Sequence, residues 1–266
     1  MQDQVEAFRE ESSALQALLA AAPSLDYGAP TQFKNWSAED ILRHLHCFNL
    51  AAARSLDGDE AFAGFIGAFM QQARDRGQRA AEAASADDLT GPALLERWIE
   101  TARAMADAFA DVDPKRRLKW VGPDMSARSS VTARFMETWS HAQALYDALG
   151  VERTNTDRIR NVVVLGVNTF GWTFANRKEE VPSPMPELRL TAPSGERWQW
   201  GEANADDYIA GSAEAFCQVV TQVRNVADTD LEVVGPIATR WMAQAQCFAG
   251  PPNDPPAPGT RFRRNA

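Results

Sequence analysis

A cluster of three prolines in five residues, at positions 182–186, divides the chain into two parts of different character. Proline lacks a backbone N–H and fixes φ, so neither a helix nor an internal strand runs through such a cluster. Apolar residues before it recur at helical spacings of three and four, whereas short runs after it predict strands. We therefore predict a first domain over 1–181, a second over 187–250 and a proline-rich tail, expected to be poorly ordered, over 251–266.

The N-terminal part consists almost throughout of helical patterns. One helix begins at Ser37, a good N-cap, and has Glu39 and Asp40 in its first turn, where the helix dipole favours negative charge. Another ends at Gly150, a natural C-terminal stop. Helices joined by modest loops pack antiparallel, so we predict a helical bundle. The predicted helices cover 2–22, 37–56, 59–84, 93–110, 126–149 and 155–178.

The part after the prolines predicts a small α+β module. Two strands, 188–192 and 196–200, flank the turn sequence Pro-Ser-Gly. A helix over 205–226, a strand over 231–234 and a helix over 236–248 are expected to follow. The predicted fold class is thus α+β, with an antiparallel helical bundle followed by a small α+β domain.

Charge and composition exclude several classes of function. The 266 residues contain 36 acidic and 27 basic side chains, a net charge of -9, whereas nucleic-acid binding needs clustered Lys and Arg. No apolar stretch approaches the roughly 20 residues that span a bilayer. The three cysteines are odd in number and widely spaced, which is typical of reduced thiols. We expect a cytoplasmic protein that binds neither nucleic acid nor membrane; its oligomeric state stays open.

The three histidines indicate a metal site. Glu137 and His141 are four residues apart in one predicted helix, so both project from the same face, and His44 lies midway along another helix. Ligands from facing helices are how bundles build metal sites in their cores. Two imidazoles and one carboxylate suit zinc, nickel or iron(II) and leave coordination positions open. The alternative is that Glu-x-x-x-His marks a solvated helix face or a local hydrogen bond.

Neighbouring side chains have simpler interpretations. His46 points to a different helix face from His44 and is interpreted as a structural or a surface residue. Cys47 lies on the same side as His44, within reach of the site, but is interpreted as a small buried thiol that fills core space. Four tryptophans are candidates for an apolar wall around the site, although ordinary core packing explains each of them as well. These are Trp36, Trp120, Trp139 and Trp172.

Several segments resemble a known family. The segment from Trp36 through Asp40 to His44 and Leu45 resembles the W-x-x-x-D-x-x-x-H-L motif of the DinB-like metalloprotein superfamily. The segment 137–150 resembles the E-x-W-x-H…ALG motif of the branch that contains mycothiol-dependent maleylpyruvate isomerase. Segments at 190–201, 219–222 and 245–252 are similar to the second domain of a subgroup of that branch.

This resemblance implies a fold, a cofactor and a chemistry. The fold would be a metal-holding bundle with a sterol-carrier-like α+β domain, and His44, Glu137 and His141 fall on the family's three metal ligands. The metal would most often be zinc. Relatives use a low-molecular-weight thiol, namely mycothiol, bacillithiol or glutathione, which is deprotonated on the metal. The thiolate either adds to a conjugated double bond and is expelled after rotation, or is transferred to an electrophile.

The sequence also departs from the family pattern. Ala144 and Asn49 stand where relatives carry aspartates near the metal, which changes the charge there and the orientation of the imidazoles. Val223 occupies the place of an arginine that contributes to catalysis in the isomerase, and Arg224 follows it. Arg224 takes the catalytic role only if the helix is locally shifted, and is otherwise a surface charge.

The predicted function is therefore a metal-dependent enzyme that acts on a small electrophilic metabolite, by thiol-dependent S-transfer or thiol-assisted isomerisation. One alternative keeps the metal without the thiol and uses metal-bound water for hydrolysis or a specialised biosynthetic step. A second alternative is a non-catalytic protein that binds a small molecule or a metal.

Overall fold

The computed structural model describes residues 1–264, which form two compact units. The first unit runs from Met1 to Leu149 and the second begins at Gly150. A helical unit followed by an α+β unit confirms the predicted fold class; the likeness to sterol-carrier folds stays a prediction. None of the helices in the described part of the chain combines the length and apolar character needed to cross a membrane.

The first unit is a helical bundle. Its α2 begins with a capping box, in which the Ser37 hydroxyl accepts a hydrogen bond from the Asp40 N–H and the Asp40 carboxylate accepts one from the Ser37 N–H. This confirms Ser37 as N-cap. Its elements are α1 (Gln2–Ala20), α2 (Ala38–Asp57), α3 (Asp59–Arg76), α4 (Gln78–Ser85), α5 (Gly91–Ala110), β1 (Arg117–Leu118), β2 (Met125–Ser126) and α6 (Ala127–Leu149).

The bundle core is made by two helix pairs, since α2 packs against α5 and α1 packs against α6. Trp98 of α5 and Trp139 of α6 are fully buried there, together with Phe8 and Phe109. Large apolar side chains of this kind dominate the burial free energy of a core. The two long helices α2 and α6 pack against each other as well and are held at fixed relative positions.

One predicted helix is broken in two. The sequence predicts a continuous helix over 59–84, but Gly77 has φ +89° and separates α3 from α4. A positive φ of this size is accessible to glycine at little cost and is disfavoured for other residues. The break lets α4 turn back and pack against both α2 and α3.

The second unit is built around a mixed sheet. Its strand order is β4-β3-β5-β6, with β3 parallel to β5 and the other pairs antiparallel. Its elements are a 3-10 turn (Asp157–Ile159), α7 (Arg160–Asn168), α8 (Phe170–Ala175), β3 (Glu187–Thr191), β4 (Arg197–Trp200), β5 (Tyr208–Ser212), α9 (Ala213–Val220), a second 3-10 turn (Val226–Asp228), β6 (Glu232–Val234) and α10 (Pro236–Gln244).

The helix predicted over 205–226 is wrong in its first part. Residues 208–212 form β5, a central strand with hydrogen-bonded neighbours on both sides, and only α9 is helical. Tertiary pairing overrides local propensity here. The Ser212 hydroxyl accepts a hydrogen bond from the Ala215 N–H, so the strand passes directly into a capped helix.

The boundary between the compact units lies earlier than the predicted domain boundary. Residues 155–178 are largely helical, as predicted, but α7 packs on α9 and α8 on α10, and they belong to the α+β unit. Gly166 of α7 shows the reason, because a Cβ placed there would lie 3.0 Å from the Phe216 ring of α9. A glycine at this position lets the two helices approach closely.

The proline-rich tail, expected to be poorly ordered, makes specific contacts within the second unit. The Asn253 N–H donates to Gln246 Oε1 at 2.9 Å, and Gln222 Nε2 donates to the Asn253 carbonyl at 2.7 Å. The Gly259 N–H donates to the Asp228 carboxylate at 2.9 Å. These side chains satisfy backbone groups that have no regular structure to bond with.

Candidate metal centre

Side chains from α2 and α6 converge on one point inside the first unit. His44 of α2 and the pair Glu137 and His141 of α6 each offer a ligand atom, and these atoms lie within 4.8 Å of one another. Glu137 Oε2 is 3.5 Å from His44 Nε2 and 3.3 Å from His141 Nε2. The structure thus brings together all three sequence-predicted ligands.

The three side chains are largely but not completely shielded from solvent. Exposed fractions are 13% for His44, 21% for Glu137 and 10% for His141. A carboxylate and two imidazoles held this close have a strong electrostatic attraction for a cation, because few waters compete. The remaining exposure leaves an approach to the site from outside.

A second carboxylate, which sequence reasoning missed, orients His44. Glu82 of α4 is almost fully buried, and its Oε1 accepts a hydrogen bond of 2.9 Å from His44 Nδ1 and another of 2.9 Å from Gln78 Nε2. With Nδ1–H bonded in this way, Nε2 faces Glu137 and is the atom available to a metal. Metal-binding histidines commonly donate their other N–H to a carboxylate.

The sequence contained no signal for Glu82 because α3 and α4 read as one helix. A continuous helix would have carried residue 82 farther along the axis of α3. The turn at Gly77 instead returns it to the face of α2 that bears His44.

Aromatic rings form the walls of the site. The Trp36 ring is stacked on His141 with centroids 5.5 Å apart and planes at 4°, and Phe33 meets the same imidazole edge-on at 4.9 Å. Phe48 lies 4.8 Å from the His44 ring, and Trp120 lies 6.2 Å from Phe48. Packed rings restrict the imidazole orientations and lower the local dielectric.

Only part of the proposed tryptophan wall is found at the site. Trp36 contacts both imidazoles and Trp120 contacts Phe48, whereas Trp139 is a fully buried core residue. Trp172 belongs to α8 of the second unit.

The carboxylates set the protonation of the cluster. Burial lowers the pKa of His44, but Glu137 and Glu82 on its two sides outweigh this, and the pKa lies above the ordinary histidine value. Burial alone would raise the pKa of Glu137, yet the hydrogen bonds with His141 and His44 hold it well below the usual carboxyl range. For His141 burial dominates and lowers the pKa. The carboxylates thus favour the protonated form of His44, whereas burial favours the neutral form of His141.

The donor set fits a divalent metal. Besides the converging Nε2 and Oε atoms, His141 Nδ1 is buried and has no hydrogen-bond partner in the described structure. His141 Nε2, which lies 3.3 Å from Glu137 Oε2, is the nitrogen that faces the cluster. The set of two nitrogens and one carboxylate matches catalytic zinc sites, which keep a fourth position open.

Residues 8–146 match the family described as the mycothiol maleylpyruvate isomerase N-terminal domain. This match covers more than half of the chain and lies inside the first unit. The chain belongs to this family.

Similar proteins extend the match beyond that domain. A protein of Mycobacterium tuberculosis, present in strains H37Rv and CDC 1551 and uncharacterized in both, is 37% identical over 245 residues, 92% of this chain and 94% of that protein. The crystal structure of the mycothiol-dependent maleylpyruvate isomerase has a TM-score of 0.52 at 14% identity and covers 81% of this chain and 86% of that one. A histidine-to-alanine mutant of it gives the same TM-score at 16% identity. At this identity the solved structures show a shared fold.

The departures from the family pattern have visible consequences. Ala144 is one helical turn beyond His141 and offers no acceptor to its unpaired Nδ1. Asn49 is fully buried and points at α6, where its Oδ1 accepts a hydrogen bond of 3.1 Å from Arg134 Nε. Arg134 was not singled out from the sequence, although it stands three residues before Glu137.

His46 and Cys47 have the packing roles that the sequence indicated. His46 is buried and its Nε2 lies 3.1 Å from the Ser85 carbonyl. Burial raises the pKa of the Cys47 thiol to about 12, so it is un-ionised at neutral pH. Cys47 packs with Phe69 and Ala81.

Arg224 is not the surface charge that the sequence indicated as its alternative role. It belongs to the second unit, just after α9, and only 9% of it is exposed. Its Nη1 donates to the Val223 carbonyl at 3.4 Å. The catalytic role of Arg224 stays a prediction.

Proposed function

We propose that the first unit binds one divalent metal through His44, Glu137 and His141, and that the protein is a thiol-dependent enzyme acting on small electrophiles. The observation that carries this proposal is the convergence of the three ligand atoms from two helices within 4.8 Å. Zinc is the first candidate, and nickel and iron(II) accept the same nitrogen and oxygen donors.

The protein's own residues have distinct tasks in this proposal. Glu82 holds the Nδ1–H of His44 and so directs Nε2 towards the metal. Glu137 supplies the negative charge, and its low pKa keeps it ionised throughout the physiological range. Trp36 and Phe33 pack against His141, hold its ring in place and exclude water from that side.

When bound, a divalent metal with an open position lowers the pKa of a coordinated thiol, which becomes a nucleophile at neutral pH. The cysteines of the chain do not replace an external thiol, because all three are buried. Membership of a family named after a mycothiol-dependent isomerase supports mycothiol as the cofactor, with glutathione as the second candidate. The chemistry would be S-transfer to an electrophile or thiol-assisted isomerisation of a conjugated double bond.

The test is an S-conjugation and isomerisation assay on the zinc-loaded protein. Mycothiol and glutathione are each supplied with a panel of conjugated carbonyl compounds, and products are followed by mass spectrometry. The wild type is compared with Glu137→Gln, which weakens the ligand set, and with Glu60→Gln on the exposed part of α3 as a matched control. Turnover that needs both metal and thiol, and that only the first variant loses, supports the proposal.

Two results would contradict it. Metal-dependent product formed without any thiol would transfer the role of nucleophile to water, the chemistry of a hydrolase. Absence of turnover with every pair, despite bound metal, would favour a non-catalytic binding protein.

A further inference from the structure

The bundle contains a buried cation without a counter-ion. Arg134 of α6 is 2% exposed, and its charge makes no ion pair with any carboxylate of the described residues. Its Nε donates to Asn49, but Nη2 is buried and has no acceptor. An ionised group buried in this way is costly unless an acceptor or a negative charge compensates it.

Asn49 cannot complete the arrangement. An amide offers one acceptor oxygen, and that oxygen is used by Arg134 Nε. Asn49 Nδ2 is a second buried donor without an acceptor. Arg134 and Asn49 therefore each have a buried N–H donor without an acceptor. A group that has only acceptor atoms would satisfy both donors.

This pair of donors lies beside the metal centre. Arg134 is one helical turn before Glu137, and the two charges are close enough for each to shift the pKa of the other. Phe48 connects the two places, since its ring is 4.8 Å from the His44 ring and 5.9 Å from the Arg134 guanidinium carbon. A ligand bound at Arg134 would therefore be a neighbour of a ligand held at the metal centre.

We propose that Arg134 and Asn49 form a carboxylate-binding subsite, in which Arg134 Nη2 and Asn49 Nδ2 donate to the carboxylate of a small-molecule ligand. The inference rests on the proposed function, because the carboxylate would belong to a molecule that binds next to the metal. A carboxylate supplies only acceptor atoms and a negative charge, which is what the two side chains lack. No bond is made or broken at this subsite.

The test compares crotonate, a small conjugated carboxylate, with its neutral isostere crotonamide. Both are titrated into zinc-loaded protein by calorimetry, after the zinc content of each variant has been measured. The wild type is expected to bind crotonate at least about tenfold more tightly than crotonamide, the usual advantage of a charge-assisted hydrogen bond. Arg134→Met is expected to lose this preference. Arg128→Met, an exposed arginine on the same helix, is expected to keep it.

A second variant tests the subsite even if Arg134→Met fails to fold. Asn49→Asp keeps the arginine and supplies an internal carboxylate that accepts from both Nε and Nη2. It is expected to raise the thermal stability and to abolish the crotonate preference while zinc stays bound. A merely structural Arg134 would give the rise in stability without any change in crotonate affinity, and that result would overturn the proposal.

The carboxylate comes either from the substrate or from the thiol cofactor. Crotonate titrations into protein saturated with 2-mercaptoethanol, which has no carboxylate, and with glutathione, which has two, separate these sources. Loss of crotonate binding only with glutathione assigns the subsite to the cofactor, and retention with both assigns it to the substrate. A wild type without crotonate preference in both the zinc-loaded and metal-free forms would overturn the subsite itself. Failure to bind zinc would contradict only the proposed function, because the crotonate and crotonamide titrations of the metal-free protein would still test the subsite.

Discussion

His44 lies between two carboxylates, and this position determines how the centre responds to protons. Its Nδ1 is bonded to Glu82 and its Nε2 faces Glu137, so the protonated ring is stabilised from both sides. A metal at Nε2 must displace the proton held there. Proton and metal therefore compete for one atom, and the competition is set by residues that neighbour the site as much as by the ligands.

Metal affinity is expected to fall as the pH is lowered. The pKa of His44 in the metal-free protein is raised above the ordinary histidine value, so below that raised pKa the proton on Nε2 must leave when metal binds. The affinity should then decrease about tenfold per pH unit and should be constant above the pKa. Zinc titrations against a chelating indicator between mildly acidic and mildly alkaline pH measure this profile. A flat profile would contradict the assigned protonation of His44.

Glu82→Gln tests the role of the second carboxylate. Glutamine still accepts a hydrogen bond from His44 Nδ1, so the ring keeps its orientation, but the negative charge is lost. We expect zinc affinity at neutral to alkaline pH to weaken about tenfold, with the fold intact. The acid limb of the profile should move to lower pH, because a charge that raises the pKa of His44 is gone.

Glu60→Gln, which removes an exposed carboxylate of α3, is the control for this change. It should leave both zinc affinity and pH profile as in the wild type. If the two variants had the same zinc affinity and pH profile, Glu82 would have no role in the metal centre.

At the scale of secondary-structure elements, the break between α3 and α4 positions Glu82 at the site. Gly77, at φ +89°, lets α4 turn back along α2 and places Glu82 at His44. We expect Gly77→Ala to destabilise the unit by about 1–2 kcal/mol, because alanine adopts this backbone conformation only under strain. Urea unfolding measures the loss.

Gly67→Ala is the matched control for Gly77. It lies inside α3, and a Cβ there would contact nothing within 4 Å. Since alanine is the better helix former, this variant should gain about 0.5–1 kcal/mol. If both substitutions stabilised the protein, the strained turn at Gly77 would be contradicted.

Elements with a local signal could be predicted from the sequence. Ser37 as an N-cap predicted the start of α2, and the spacing of Glu137 and His141 predicted that both side chains project from one face of α6. Elements that depend on distant partners could not. Strand β5 forms because β3 and β6 pair with it. Its apolar residues continue into α9, so the sequence predicted a single helix for both elements.

For the candidate site, too, only the residues with a local sequence signal could be predicted. Its ligands lie on two long helices and have motif spacing, whereas Glu82 and Arg134 reach it through a backbone turn and a buried polar contact. His44 and Glu82 are 38 positions apart in the sequence, and Asn49 and Arg134 are 85 positions apart. No spacing rule connects residues at such separations.

At the scale of the whole molecule, the three proposed metal ligands all belong to one of the two units. His44, Glu137 and His141 lie before Leu149, and the family match ends at residue 146. The relatives from M. tuberculosis nevertheless match across nearly the whole length, α+β unit included. We expect metal binding to depend on the first unit, and turnover to require the whole chain.

Metal content measured by plasma mass spectrometry tests the central claim most directly. The wild type, Glu137→Ala and His141→Ala are purified without a nickel column, and circular dichroism checks that each is folded. We predict about one equivalent of zinc or iron in the wild type and its loss in both variants. A folded wild type that contains no metal and takes up none on addition would contradict the account, and the cluster of His44, Glu137 and His141 would then be a buried hydrogen-bond network.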